Sequence, residues 1–333
     1  MVIPIKIGIV GYGNIGRGVL SAIEKNRELY GDVSVAGILT RRPEQVKKQV
    51  SGVEVVDFDK GSDINPDVLI LCGGSATDLP VQGPQFVKNF NTVDSFDTHA
   101  KLPDYFHEMD KAAKENNNVS VIATGWDPGT FSLERVLADA FIPGVKPYGF
   151  YGLSKKGGLS MGHSDAIRRV SGVKDARQYT HAIPEAMESV RKGENPTLKT
   201  GDMHWRECIV VAEDGADKDK IANEIKSMPN YFEPYKTTVD FVTQDELNDK
   251  YQDLPHDGAV IAVGTNGDGS KSLIEYKNEW ESNPASTANI LLAHARAAYR
   301  LKEEGKSGAF TILDVPAAYF SPKSREELLK DFM

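Results

Sequence analysis

Ile5-Lys-Ile-Gly-Ile-Val-Gly11-Tyr-Gly13-Asn-Ile-Gly16-Arg-Gly18 is the stretch that decides the fold. An alternating apolar run leads straight into Gly-x-Gly-x-x-Gly, and Val19, Leu20 and Ile23 continue at helical spacing. Strand, glycine turn and helix in that order open a dinucleotide-binding βαβ unit. Gly11 permits the tight turn, Gly13 lets the backbone approach a pyrophosphate, and Gly16 allows the helix to pack closely on the strand. The helix N-terminus then offers unpaired N–H groups to phosphate. Tyr12, Asn14 and Ile15 fill the same turn and are assigned to the cofactor with the glycines.

The second predicted strand, Ser34 to Thr40, runs into Arg41-Arg42. A site for NAD places Asp or Glu here to accept from the ribose 2′-OH. This chain has a hydroxyl and two guanidinium groups instead. Arginine forks match phosphate oxygens, so Thr40, Arg41 and Arg42 read as a cradle for the 2′-phosphate of NADP rather than as a solvated basic turn. Asp67-Val-Leu-Ile-Leu-Cys72 is almost continuously apolar, the pattern of a strand buried on both faces of a parallel sheet. The loop that follows falls where ligands of open α/β sheets bind, which puts Cys72, Gly73, Ser75, Ala76 and Thr77 on the cofactor.

Phe90 to Asp94 and Val119 to Ala123 read as further strands, with a polar-faced helix from Tyr105 to Asn116 between them. The alternation makes residues 1–125 a Rossmann-type doubly wound α/β domain. Beyond Gly125 the strict alternation breaks. Tyr179 to Ile183, Glu207 to Ala212, Thr238 to Val242 and Ala259 to Val263 are strand-like, and a helix covers Ile221 to Ser227. Residues 126–284 therefore read as an α+β substrate-binding and dimerisation domain, and the Ala- and Leu-rich helix in residues 285–333 is expected to pack back on the first domain. Gly264-Thr-Asn-Gly-Asp-Gly269 opens no helix and is read as a turn between strands.

With 333 residues, 40% hydrophobic and 26% charged, the composition is that of a globular enzyme of two domains. A net charge of −9 spread along the chain argues against a nucleic-acid or membrane partner. The first strand begins too early for a secretory leader, and Cys72 and Cys208 have no metal-ligand spacing. A cytoplasmic protein with reduced thiols and no metal is expected.

Two carboxylate-bearing segments stand out for chemistry. Asp94-Ser-Phe-Asp97-Thr-His99 follows one predicted strand, and Thr124-Gly-Trp126-Asp127-Pro-Gly129 follows the next. Both fall at carboxyl ends, where side chains can reach a nicotinamide. Paired Asp residues suit an amine substrate better than an alcohol, and Trp126 can wall the carbon that loses hydride. Asp94 alone reads as a turn former and Asp127 alone as a helix N-cap. Asp97 and Asp127 together favour substrate contact.

These blocks, with Leu71-Cys-Gly-Gly-Ser-Ala-Thr-Asp-Leu-Pro80 and Gly162-His-Ser-Asp-Ala-Ile-Arg-Arg169, resemble the meso-diaminopimelate dehydrogenase family almost from end to end. The resemblance implies NADP-dependent, reversible oxidative deamination at the D-configured carbon of meso-2,6-diaminopimelate, with release of ammonia, by a homodimer. Carried over, the family's contacts at the reacting centre fall on Asp97, Trp126 and Asp127. Its pocket for the distal L-centre falls on Thr180, Arg206, His256 and Asn283; Met161 and Gly162 are assigned to substrate binding beside them, and His163 and Ser164 are read as shaping the pocket. Arg206 can fork a carboxylate, while Thr180, Asn283 and His256 supply hydrogen bonds.

Met161 departs from the family pattern, since many relatives carry Gln there and a thioether is a poor hydrogen-bond partner. Tyr151 and the Lys155-Lys156 insertion depart as well. These changes bear on substrate breadth, so a broader D-amino acid dehydrogenase is the first alternative. Another NADP-dependent reductase and a non-catalytic NADP sensor are the others.

Overall fold

The computed structural model describes residues 4–333, which fall into two compact units, one reaching Leu133 and resuming at Pro284, the other spanning Glu134–Asn283. The fold is α/β, with a parallel central sheet in the first unit and two smaller sheets in the second.

In the first unit the strands are β1 (Ile5–Val10), β2 (Val33–Leu39), β3 (Val55–Val56), β4 (Val68–Leu71), β5 (Asn91–Asp94) and β6 (Val119–Val121). A late strand, Gly308–Phe310, pairs with β6 and completes a seven-stranded sheet in the order Gly308–Phe310, β6, β5, β4, β1, β2, β3. Every pairing is parallel. The order reverses between β1 and β4, which creates the switch point at which such sheets bind ligands. Register brings the carboxyl ends level there, with Val10 opposite both Leu39 and Leu71, and Leu71 opposite Asp94.

The strands are apolar throughout because helices cover both faces. Ile7, Ile9, Val10, Leu39 and all of Val68–Leu71 are completely buried. Removing each such side chain from water contributes about 1.5–3 kcal/mol before entropy is counted. On one face Val19, Leu20 and Ile23 of the first helix, Asn14–Lys25, share a cluster with Ala288, Leu291, Leu292, Ala295 and Leu301 of the long helix Asn283–Glu303. Gly18 makes that packing possible, since a Cβ there would meet the Pro284 carbonyl oxygen at 3.0 Å.

The second unit holds β7 (Tyr148–Tyr151), β8 (Gly158–Leu159), β9 (Val173–Ala182), β10 (His204–Ala212), β11 (Lys236–Phe241), β12 (His256–Thr265) and β13 (Lys271–Trp280). They form a four-stranded sheet, β11-β10-β9-β8, and a three-stranded sheet, β13-β12-β7. The turn at residues 266–270 joins β12 to β13, as the glycine pattern there suggests. Only the end of β9 is visible in the sequence, because Asp175 and Arg177 interrupt its apolar pattern. They pair with each other at 3.2 Å. The strand β13 escapes the reading because Lys271, Glu275, Lys277 and Glu279 recur along it, and its residues are half-buried at most.

Candidate active site

The glycine turn is backbone chemistry. Gly11 sits at φ +91°, a conformation that costs other L-residues about 1–2 kcal/mol. Its neighbour across the switch point is Cys72, whose N–H donates to the Val10 carbonyl at 2.8 Å. A Cβ on Gly16 would lie 2.1 Å from the Gly11 carbonyl oxygen, so only glycine fits. A Cβ on Gly13 would meet nothing within 4 Å, which leaves that space open to a ligand. No side chain caps the helix that starts at Asn14, so its first N–H groups remain available to an anion. Tyr12 and Ile15 are half-buried against the core, while Asn14 is exposed and its Oδ1 accepts from Arg17 Nη2 at 2.8 Å. The turn fits a dinucleotide pyrophosphate.

Thr40 is buried and its Oγ1 accepts from the Arg42 N–H at 3.3 Å. Arg41 and Arg42 project to the surface. The Arg41 guanidinium bridges to Asp78 Oδ1 at 3.0 Å, and Asp78 Oδ2 also accepts from the Gly74 N–H at 3.1 Å. Asp78 therefore ties the cradle to the loop of Gly73, Ser75, Ala76 and Thr77, a role the sequence did not suggest although Asp78 closes that glycine-rich segment. Burial pushes the Cys72 thiol up to about 12, so this group is a neutral neighbour and not a nucleophile.

Asp97 and the Trp126–Asp127 pair extend from the adjacent strands β5 and β6. Asp97 lies at an exposed edge, and its N–H donates to Ser75 Oγ at 3.1 Å. Trp126 is buried with Nε1 donating to Thr287 Oγ1 at 3.1 Å. Asp127 is half-buried in a turn that ends at Gly129, and the helix begins only at Thr130, so Asp127 is not its N-cap. His99 Nε2 lies 3.1 Å from the Asp127 carbonyl oxygen and links the two loops.

Asp94 does more than turn the chain. It is completely buried and collects donors from both loops: Phe96 N–H at 2.9 Å and Ala123 N–H at 3.2 Å on Oδ1, and the Tyr105 hydroxyl at 2.7 Å on Oδ2. Burial pushes its carboxyl up to about 6, against those three bonds. The sequence signal was its place as the last residue of an apolar strand.

In the second unit Arg206 and Thr180 face each other in register on β10 and β9. Arg206 Nη1 donates to Thr180 Oγ1, and the guanidinium lies 4.1 Å from the centre of the Tyr235 ring. Only 8% of Arg206 is exposed, its Nε has no partner, and among the described residues no carboxylate pairs with it. Burial lowers its pKa accordingly. Gln178, fully buried on the same sheet face, donates from Nε2 to Thr180 Oγ1 at 3.4 Å while its Oε1 has no partner.

His163 bonds through Nδ1 to Ser160 Oγ at 2.7 Å and meets Tyr231 and Phe232 edge-on. Burial, then Arg206, drive its pKa well below the ordinary value, which keeps it neutral. Ser164 accepts from the Gln178 N–H at 2.9 Å. Asn283 Nδ2 donates to the Leu159 carbonyl at 3.0 Å, and His256 lies beside Gly158, which pairs with Thr180. These residues therefore gather at one end of the four-stranded sheet. Met161 does so less directly: it begins the helix Met161–Arg168, and its side chain packs with Leu159, Tyr179 and Leu247, while Gly162 is exposed.

Among the described residues no cluster could hold a metal, and no helix is long and apolar enough to cross a membrane. Comparison with known proteins gives one consistent result. The family model described as "Diaminopimelic acid dehydrogenase C-terminal domain" matches residues 125–282. A meso-diaminopimelate D-dehydrogenase from Acetivibrio thermocellus is 51% identical over 334 residues, covering 99% of this chain and 98% of the relative. The solved structure of the Corynebacterium glutamicum DAP dehydrogenase in complex with DAP superposes with a TM-score of 0.92 at 39% identity, covering 100% of both chains. An engineered D-amino acid dehydrogenase bound to NADP+ superposes at 0.90 with 38% identity, covering 99% of this chain and 100% of that one.

Proposed function

The chain belongs to the meso-diaminopimelate dehydrogenase family, and from that premise we propose that it oxidatively deaminates meso-2,6-diaminopimelate at the D-centre. The reaction is reversible, uses NADP, and yields L-2-amino-6-oxopimelate, ammonia and NADPH. Arg206 is the observation that carries this reading beyond family membership. A buried guanidinium without a carboxylate is costly, and the arriving carboxylate of the distal L-centre removes that cost. Thr180, Gly162, His256 and Asn283 complete the recognition of that end.

Asp97 and Asp127 take the ammonium of the D-centre, and Trp126 walls the carbon that loses hydride. NADP supplies the hydride acceptor. The turn of Gly11, Tyr12, Gly13, Asn14 and Ile15 would hold its pyrophosphate, and Thr40, Arg41 and Arg42 its 2′-phosphate. Cys72, Gly73, Ser75, Ala76 and Thr77 line the remainder. The amine must lose a proton before its lone pair can expel hydride and form the imine, to which water adds as ammonia leaves. That proton leaves to water, to hydroxide or to one of the two Asp carboxylates. Holding the C–H in line for transfer is chiefly a proximity effect.

A second activity is favoured by Met161. A thioether at this position offers no hydrogen bond to a polar distal group, which suits D-amino acids that lack one. We assign residues 1–125 with 285–333 to cofactor binding and residues 126–284 to substrate binding and dimerisation, in a cytoplasmic homodimer. Sedimentation tests the dimer. The reaction is tested by following NADPH formation from NADP, and separately from NAD, with meso-, LL- and DD-diaminopimelate and with simple D-amino acids. Turnover of the meso isomer with NADP is the expected result. No turnover with any amino acid would leave a reductase of other substrates or a cofactor sensor.

A further inference from the structure

We propose that Asp94 is a positioning residue for the reaction, because its single carboxylate fixes the loop that carries Asp97 against the loop that carries Trp126 and Asp127. The role of those loops rests on the function proposed above; the geometry does not. Asp94 ends β5, one position before the first loop begins. Its Oδ1 receives the N–H of Phe96, next to Asp97, and the N–H of Ala123, three residues before Trp126. Its own carbonyl oxygen receives both the N–H of Thr124 at 3.0 Å and the Thr124 hydroxyl at 2.9 Å. Four donors from two loops thus converge on one residue.

Two further observations show that this contact shapes the loops. Ala123 sits at φ +55°, a left-handed conformation unusual for a residue with a Cβ, and the Asp94 bond is what its N–H meets there. Tyr105 then fixes the carboxylate itself: its hydroxyl donates to Oδ2, and its ring stacks on Phe96 at 4.1 Å and 15°. Phe96 is thereby held both by its N–H and by its ring. An apolar residue would satisfy the packing at this buried position, but it would leave the Phe96 and Ala123 N–H groups without an acceptor. A displacement of about 1 Å at reacting groups can cost on the order of a hundredfold in rate.

The test uses the full-length protein labelled with 5-fluorotryptophan. Its three indoles, Trp126, Trp205 and Trp280, give separate fluorine resonances, and W126F assigns the first. Asp94→Ala is expected to shift or broaden the Trp126 resonance alone and to lower kcat for meso-diaminopimelate about a hundredfold, with the Kd for NADP within about twofold. Asp94→Asn keeps an oxygen for Phe96 and Ala123 and recovers at least about tenfold of that loss. Tyr105→Phe, a milder change that serves if the alanine variant does not fold, moves the same resonance and lowers kcat about threefold to tenfold.

An unmoved Trp126 resonance overturns the proposal, as do three resonances that move together or a kcat loss matched by a loss of NADP affinity. Absence of turnover in the unaltered protein would refute the proposed function instead, and the fluorine spectrum would still decide whether Asp94 sets the loops.

Discussion

The turn from Gly11 to Gly16 and the polar cluster around Arg206 are built by opposite means. The turn is contiguous, and its work is done by backbone: a left-handed Gly11, a Gly16 with no room for a Cβ, and helix N–H groups without a cap. The cluster is assembled from side chains on separate strands, and its distinctive property is an electrostatic need, a buried guanidinium without a counter-charge. A backbone site is damaged by adding atoms. A side-chain site is damaged by removing charge.

The largest effect should come from Gly16→Ala. The new Cβ meets the Gly11 carbonyl oxygen at 2.1 Å, and both groups belong to backbone that cannot swing aside. Stability should fall by about 3 kcal/mol or more, and the NADP Kd should rise at least a hundredfold. Gly13→Ala isolates the ligand's share. It meets no protein atom within 4 Å, so thermal stability should hold while NADP affinity drops about tenfold. If both variants lost stability alike, the distinction between a packing glycine and a ligand glycine would fail.

Arg206→Met attacks the other region. Its KM for meso-diaminopimelate should rise about a hundredfold, and that for a short D-amino acid far less, with NADP affinity untouched. The melting temperature should not fall, because a buried cation without a carboxylate gives way to an apolar chain of similar length. Equal KM changes for both substrates would remove Arg206 from the distal pocket.

The same contrast explains what could be read from the sequence. The glycine turn and the parallel strands were legible because each depends on neighbours in the chain. The buried cluster around Arg206 was not, since Arg206 beside Glu207 has the pattern of a surface pair, and only the family resemblance singled it out. Asp94 was read as a turn former because nothing in Thr-Val-Asp-Ser-Phe-Asp reveals that a strand later Ala123 will need an acceptor. Asp78 escaped for the same reason, since its partner Arg41 lies on a different loop.

Asp94 also gives the comparison a pH axis. Its folded pKa of about 6 lies above the ordinary aspartate value of about 3.9, so the folded state binds more protons than the unfolded state between about pH 4 and 6. This stabilising share is complete below about pH 4 and is lost as pH rises through about 6, an amount on the order of 3 kcal/mol. The neighbour that bonds the carboxylate from a titratable side chain is Tyr105, which stays protonated throughout that range. Asp94→Asn should remove that share of the slope. Melting temperatures of the two proteins from pH 4.5 to 7.5 check it, and parallel curves would mean that Asp94 ionises in the fold as readily as in the unfolded chain.

The smallest expected effect lies at Arg41, where the two modes of construction meet. This is a side-chain contact, but 69% of its side chain is exposed, and its partner Asp78 is 23% exposed. Exposed pairs contribute about 0–1 kcal/mol, so the bridge is easily surrendered to a 2′-phosphate that offers more than one oxygen. Arg41→Met should therefore raise the KM for NADP about tenfold, worth about 1.4 kcal/mol, and leave any use of NAD almost unchanged. The ratio of kcat/KM for the two cofactors is the measurement. Added salt should narrow the difference between variant and parent, because a charge contact in water is screened where the buried Arg206 is not. A loss that fell equally on NAD and NADP would place Arg41 on the shared part of the dinucleotide, and the cradle would then consist of Thr40 and Arg42.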